Sequence, residues 1–282
     1  MKSLVQYITE HLIINEGGNA VQCERIPAEV AMKLYTDIVD RIHSKYRNIE
    51  TRVLGSVGKK RAGDTNGDID IAIKIDSKEE LKRIVDELFP ECEQSMQGFG
   101  ISIGYKYDYK GQQKIGQVDF MLQDDLDWAE FYYHSPNYIE NESQFKGAIR
   151  TNFLSIIVTS IPTEEEPEMD GDQYVTRWKY TSNSSGIWKQ FLDYRGKKGL
   201  LKNPKKIKEL EKLITKNKEE LAQMLFHKPN IKDFNSAETL WKAVHSNNFK
   251  YPQMLPQIEE RFKTEVLSTI NFDYEAFLNI VK

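Results

Sequence analysis

The chain has little cysteine, no long apolar run and no strong charge of either sign, and each shortage closes off a class of protein. Two cysteines, Cys23 and Cys92, have no metal-ligand spacing and build no disulfide framework. They read as idle or buried thiols in a reducing cytosol. No apolar stretch approaches the length that crosses a bilayer, and no signal-peptide pattern is seen. The expectation is a cytoplasmic protein with no membrane partner. A net charge of −4 over 282 residues sets up no global attraction for nucleic acid, so any such attraction has to be local. Five histidines (His11, His43, His134, His227, His245) show no ligand spacing, and no internal repeat is present. The length allows one large domain or two smaller ones, each with its own core.

Against these shortages stands one dense stretch, Leu54 to Ile75. Thr51 to Leu54 is β-prone and ends at Gly55-Ser56. After a polar loop comes Gly67-Asp68-Ile69-Asp70-Ile71-Ala72-Ile73-Lys74-Ile75. Alternating isoleucines predict a strand over 68–75 with one buried face. Asp68 and Asp70 then share the other face, roughly 7 Å apart along the strand. Val118, Phe120 and Leu122 alternate in the same way, so Asp119 projects from the polar face of a second strand. If the two strands are neighbours, three carboxylates meet within about 5–7 Å. At an effective dielectric of about 20, each ionised pair repels by roughly 2–3 kcal/mol. A sheet gains no stability from that, so the cluster calls for a cation. All-oxygen ligands select a hard one, Mg²⁺ or Mn²⁺.

The pattern of hydrophobic-Gly-Ser, a loop of about ten residues, Asp-hydrophobic-Asp-hydrophobic and a later strand Asp resembles the DNA polymerase β-like nucleotidyltransferases. Leu54-Gly55-Ser56, Asp68-Ile69-Asp70-Ile71 and Asp119 fill those positions, and the resemblance covers roughly residues 25–125. More loosely, Phe145-Lys146-Gly147-Ala148-Ile149-Arg150 and Lys198-Gly199-Leu200-Leu201-Lys202-Asn203-Pro204 look like uncharacterised phage-encoded members, which would place the protein in a host cytoplasm. The resemblance implies that Asp68, Asp70 and Asp119 hold two Mg²⁺ (or Mn²⁺) ions and move an NMP from an NTP to an acceptor hydroxyl, releasing pyrophosphate. It also implies that Gly55 and Ser56 open a short helix whose N–H groups meet the triphosphate. Lys59, with Lys60 and Arg61 beside it, adds charge to that loop. Lys146 and Arg150, four apart on one expected helix face, are further candidates to grip the triphosphate.

The elements around this stretch imply an α+β fold: a mixed-sheet nucleotidyltransferase core with flanking helices. Helices are expected over 3–14 and from Pro27 to Arg47, the latter with Val30, Leu34, Ile38 and Ile42 as its stripe. Ser77-Lys78-Glu79-Glu80 opens another, to about Phe89. Ile101 to Tyr107 returns through Asp108-Tyr109-Lys110-Gly111 into the Asp119 strand as a hairpin. Asp124-Asp125-Leu126-Asp127 caps a segment with Trp128 and Phe131-Tyr132-Tyr133, and Phe145, Ile149 and Phe153 are expected to pack on the catalytic domain. This gives a catalytic domain over 1–160 and a carboxy-terminal domain, a β-hairpin followed by mainly helices, over 161–282. In the latter, Tyr174–Thr181 and Ile187–Tyr194 form the hairpin, and 205–225 and 236–246 are expected helices.

The run from Arg195 to Lys206 is strongly basic, and Trp178, Trp188 and Tyr194 lie near it in sequence. Cations beside aromatics suit a single-stranded nucleic acid. Arg195, Lys197, Lys198 and Lys202 are therefore candidate acceptor-binding residues, with an RNA or tRNA 3′ end as acceptor. A solvated basic loop is the competing reading of the same run. A protein hydroxyl or a small molecule is the alternative acceptor, and a catalytically inactive nucleic-acid-binding module is the alternative of another class. The pattern fixes neither the NTP nor an oligomeric state.

Overall fold

In the computed structural model, residues 20–197, 199–266 and 272–282 are described. The expected helix over 3–14 lies outside them, as does Lys198. Contacts divide the chain into an amino-terminal unit that runs to Ala148 and a carboxy-terminal unit from Ile149. The division falls inside a helix, α4 (Gly147–Ser160), ahead of the expected boundary after residue 160. The fold is mixed α and β, as the sequence pattern implied.

The amino-terminal unit starts with a short strand, β1 (Ile26–Pro27), and α1 (Ala28–Lys45). Strands β2 (Glu50–Val53), β3 (Thr65–Asn66) and β4 (Asp68–Lys74) follow. Next come α2 (Lys78–Leu88), β5 (Glu93–Met96), β6 (Gly100–Tyr109), β7 (Gln112–Leu122) and α3 (Leu126–Tyr132). The main sheet has the order β2-β4-β7-β6-β5, while β1 and β3 pair separately. Only β4 and β7 run parallel; the other neighbours are antiparallel. The sheet is therefore mixed, with α2 in the connection that leaves β4.

The alternation of β4 sets its two faces. Ile69, Ile71 and Ile73 are fully buried against Leu34, Ile38 and Ile42 of α1 and Leu81, Ile84 and Val85 of α2. Each such side chain contributes about 1.5–3 kcal/mol of burial. Ser77 accepts a bond from the Glu80 N–H and fixes where α2 begins. On the other face a smaller cluster of Leu54, Ala72, Met121, Leu126 and Ala129 seats α3.

In the carboxy-terminal unit the expected hairpin is the centre of a five-stranded antiparallel sheet. Its strands are β8 (Glu168–Asp170), β9 (Gln173–Asn183), β10 (Gly186–Gly196), β11 (Gly199–Lys206) and β12 (Lys212–Thr215). The order is β11-β10-β9-β8, with β12 pairing the other half of β10's free edge. Helices α5 (Lys218–Leu225), α6 (Ala237–Val244), α7 (Leu255–Arg261) and α8 (Tyr274–Val281) follow. The single helix expected over 205–225 is absent: β11 ends there, a 3₁₀ turn and β12 intervene, and only Lys218–Leu225 is α-helical. Leu210, Leu213 and Ile214 are exposed, so their spacing does not record a buried helical stripe. Phe153 of α4 packs on Trp241 and Phe262, with ring centroids 5.6 and 4.3 Å away. That helix thus contributes to the carboxy-terminal core, where the sequence had assigned it to the catalytic domain.

Candidate active site

Three rows of paired residues cross the sheet on the face opposite α1 and α2. Ala72 of β4 lies beside Met121 of β7, and α3 covers both. One row along, Asp70 lies beside Asp119, with Ser102 of β6 beyond. One row further, Asp68 lies beside Gln117. The apolar cover stops at Ala72 and Met121, so the acids begin where the helix ends. One carboxylate oxygen from each of Asp68, Asp70 and Asp119 lies within 4.8 Å of the others. Parallel pairing of β4 and β7 places Asp70 and Asp119 in register. The sequence had supplied the two faces, and the topology supplied the neighbour.

Asp119 is buried and Asp68 and Asp70 are half-buried, and this loss of water raises the proton affinity of each. Burial raises Asp68 to about 7, the Asp119 charge adds to that, and the charges of Lys60 and Arg25 oppose it. Asp70 is pushed well above the carboxylate range by burial and by the charges of Asp68 and Asp119. Burial raises Asp119 too, against hydrogen bonding from Gln117. Gln117 Nε2 donates to both Asp119 oxygens, at 2.9 and 3.1 Å, and its own Oε1 accepts from the Ala20 N–H at 3.0 Å. Asp119 is thereby fixed in orientation. Cys23, expected idle, sits within charge range of Asp68 and Asp119; burial first, then those charges, keep its thiol protonated.

The donor set fits a hard divalent cation. It is all carboxylate, convergent, and costly to ionise with no cation present. The turn beside it fits a phosphate. Gly55 has φ of 65°, and a Cβ there would meet Asp70 Oδ2 at 3.0 Å. Only glycine combines that backbone with that closeness to the acid. Ser56 Oγ donates to Asn66 Oδ1 at 3.1 Å. Asn66 is buried, and its Nδ2 has no hydrogen-bond partner among the described residues.

The implied short helix after Gly55-Ser56 is not formed. Residues 56–59 make turns, closed by Lys59 N–H to the Ser56 carbonyl at 3.0 Å, and Gly58 has φ of 76°. Two left-handed glycines so close together prevent a right-handed helix. The loop is instead tied to 134–139. Gly55 bridges His134, and the Lys59 carbonyl accepts from the Tyr138 and Ile139 N–H groups at 2.9 and 3.2 Å.

The sequence-based candidates divide. Gly55, Ser56, Asp68, Asp70 and Asp119 come together. Lys59 donates its ammonium to the Ser135 carbonyl at 3.0 Å and braces the loop. Lys60 and Arg25 lie within charge range of Asp68. Lys60 Nζ bonds the Thr65 carbonyl at 2.8 Å, and Arg25 Nε bonds Thr65 Oγ1 at 2.7 Å. Burial and the Arg25 charge lower the Lys60 pKa, against Asp68 and Asp64. Lys146 is exposed within charge range of Lys60, but it precedes α4 and shares no helix face with Arg150. Arg150 is buried in the carboxy-terminal unit, where its Nε donates to the Phe234 carbonyl at 2.7 Å.

On the basic run, Arg195 is held by Asp193, at 2.9 and 3.1 Å. Lys197 lies in the β10–β11 turn, and Lys202 is exposed on β11. The cations over the aromatics are different ones. Lys189 and Lys212 each lie 5.5 Å from the Trp178 ring, and Arg177 lies 5.9 Å from Tyr194. Reasoning from sequence alone assigned no role to Arg25, Asn66 or Gln117. For Asn66 a signal existed: it stands next to Gly67-Asp68, opposite Ser56 across the loop. Comparison with protein-family models and with curated proteins finds no match for this chain.

Proposed function

We propose that the protein is a metal-dependent nucleotidyltransferase. One observation carries this reading: three carboxylates with oxygens within 4.8 Å of one another, on two parallel strands, beside the left-handed Gly55-Ser56 turn. Asp68, Asp70 and Asp119 would hold the Mg²⁺ or Mn²⁺ ions. Bound there, such ions would neutralise phosphate charge and lower the pKa of an acceptor hydroxyl.

The chain's own residues do the rest by positioning and charge. The Gly55-Ser56 turn lets phosphate oxygens approach the backbone, and the Ser56 hydroxyl would exchange Asn66 Oδ1 for a phosphate oxygen. Lys60 and Arg25, joined by Lys146, attract the triphosphate and offset the Asp68 charge. The acceptor hydroxyl oxygen bonds to the α-phosphorus as the bond to the β-phosphate oxygen breaks, and pyrophosphate leaves. Asp119, oriented by Gln117, takes the hydroxyl proton. The acceptor in this reading is an RNA 3′ end, tRNA included.

The test incubates the protein with each labelled NTP and Mg²⁺ or Mn²⁺, together with total cellular RNA and protein. Label should appear on RNA and be lost in Asp70→Asn. Label on protein would move the acceptor, and label on nothing would remove the chemistry. No described helix is long and apolar enough to cross a membrane.

A further inference from the structure

The carboxy-terminal sheet carries a second concentration of charge, opposite in sign to the first. Register aligns Arg177 of β9, Leu192 of β10 and Lys206 of β11 in one row across three strands. Lys179 lies two residues along β9, so it shares that face, and its partner Gln190 is buried. Among the described residues no carboxylate forms an ion pair with Arg177, Lys179 or Lys206. The Arg177 Nε is buried without a hydrogen-bond partner.

We propose that this face, at Arg177, Lys179 and Lys206, binds the phosphate of a nucleotide. Its positive charge is unbalanced. Arg261 and Glu265 also reach Lys179, but they hold each other, at 2.6 and 3.1 Å, and Arg261 Nη1 is taken up by the Thr159 and Ser160 hydroxyls at 2.8 Å each. The same imbalance acts on Lys179, which burial and the charges of Arg261, Arg177 and Lys206 lower to about 8, with Glu265 alone opposing. A half-buried ammonium with no acceptor lacks what a phosphate oxygen would supply.

The aromatic setting makes the ligand a nucleotide rather than any anion. The Arg177 guanidinium lies 4.3 Å from the Tyr174 ring centroid and 5.9 Å from that of Tyr194. The two rings are 6.2 Å apart, and Tyr174 is 39% exposed. A guanidinium held on tyrosine presents a flat surface on which a base can stack, next to cations that take its phosphate. The phosphate and base can come from a polynucleotide strand or from a free mononucleotide.

The experiment uses the full chain carrying Asp70→Asn, in EDTA, so that neither metal nor transfer contributes. A failure of nucleotidyl transfer then leaves this measurement intact, and the reverse also holds. A fluorescein-labelled single-stranded oligouridylate is titrated by anisotropy, with UMP and inorganic phosphate as competitors. The added changes Lys179→Met and Arg177→Met should each weaken binding about tenfold or more. Lys197→Glu with Lys202→Glu should leave it within about twofold, because those side chains are on the exposed turn and strand. Competition by UMP at the concentration of the oligonucleotide assigns the site to mononucleotides. Weak competition assigns it to a strand. Lys206→Ala, on the exposed rim, gives the same reading should Lys179→Met fail to fold. Absence of oligonucleotide and UMP binding, equal binding by the Lys179 and Arg177 variants, or equal loss in the Lys197/Lys202 variant would overturn the proposal.

Discussion

Raising the pH without divalent metal should weaken the fold, and removing Asp68 should take away its share of that effect. A carboxyl whose folded pKa lies above its unfolded value keeps its proton while the unfolded chain releases it. Stability is then full below the unfolded value and is lost as pH rises through the folded one. For Asp68 the window runs from 3.8 to about 7. That span is worth about 4 kcal/mol, of which about 3 falls between pH 5 and 8. In a chain of this size it corresponds to roughly 5–10 °C in Tm. Asp70 and Asp119 share protons with Asp68, which broadens the curve without changing its sign. Carboxyls with lowered values, such as Glu91, Glu164 and Asp193, act below this range. The assay is thermal unfolding in EDTA from pH 5 to 8, for wild type and Asp68→Asn. Wild type should lose Tm steadily, and the variant should be flatter and more stable at pH 8. Adding Mn²⁺ at pH 8 should restore wild type and leave the variant where it was. A wild-type Tm that is flat or rising over this range would refute the reasoning.

Other outcomes follow from the same geometry. Asp119→Asn should lower transfer by about a hundredfold or more while its Tm in EDTA at pH 8 stays at or above that of wild type, by removing a ligand and the proton acceptor together; full turnover would place the chemistry elsewhere. Gly55→Val should abolish NTP binding, because a Cβ meets Asp70 Oδ2 at 3.0 Å on a backbone with φ of 65°, and equilibrium binding checks it. Ser56→Ala and Lys60→Met should each weaken NTP binding about tenfold, whereas Lys59→Met should act mainly on Tm. Arg150→Ala should cost about 2–4 kcal/mol of stability, by opening a cavity and removing the hydrogen bond to the Phe234 carbonyl, without changing NTP affinity below the transition.

The legible parts of this chain are those governed by period. Alternation over Asp68–Lys74 and Val118–Leu122 put three acids on polar faces before any partner strand was known, because a strand's two faces are fixed by sequence alone. The loop chemistry was legible only in part. Gly55 was readable as a turn glycine, but the left-handed Gly58 that stops a helix three residues later was not. Lys59 and Lys60 differ by one position in sequence, and only the fold shows that one braces Ser135 while the other faces Asp68. Arg25 enters through β1 pairing with β3, a contact between separate segments that leaves no periodic trace. The strand Gly199–Lys206 reads Gly-Leu-Leu-Lys-Asn-Pro-Lys-Lys, with neither alternation nor β-branching, so tertiary pairing with β10 outweighs its weak propensity. The same pairing carries Lys206 into the row with Arg177, although the sequence grouped it with the exposed turn.

The placement of charge argues against a binding module without chemistry. Asp68 and Asp70 sit on a strand whose other face is filled by Ile69, Ile71 and Ile73, and the acids add nothing to that packing. Replacing them with apolar groups would remove repulsion and burial cost, so on stability grounds alone the sheet would do better without them. They would also repel any phosphate brought near Ser56, unless a cation stood between. The charges of Lys60 and Arg25 oppose that of Asp68, but two cations face three carboxylates when all three are ionised. A site meant to hold polyanion and nothing more would look like the carboxy-terminal face, where, among the described residues, no carboxylate forms an ion pair with Arg177, Lys179 or Lys206. Among the described residues the two clusters thus differ in kind: the proposed function needs a cation at the acids before a phosphate can approach, whereas the cations of the carboxy-terminal face would take a phosphate directly.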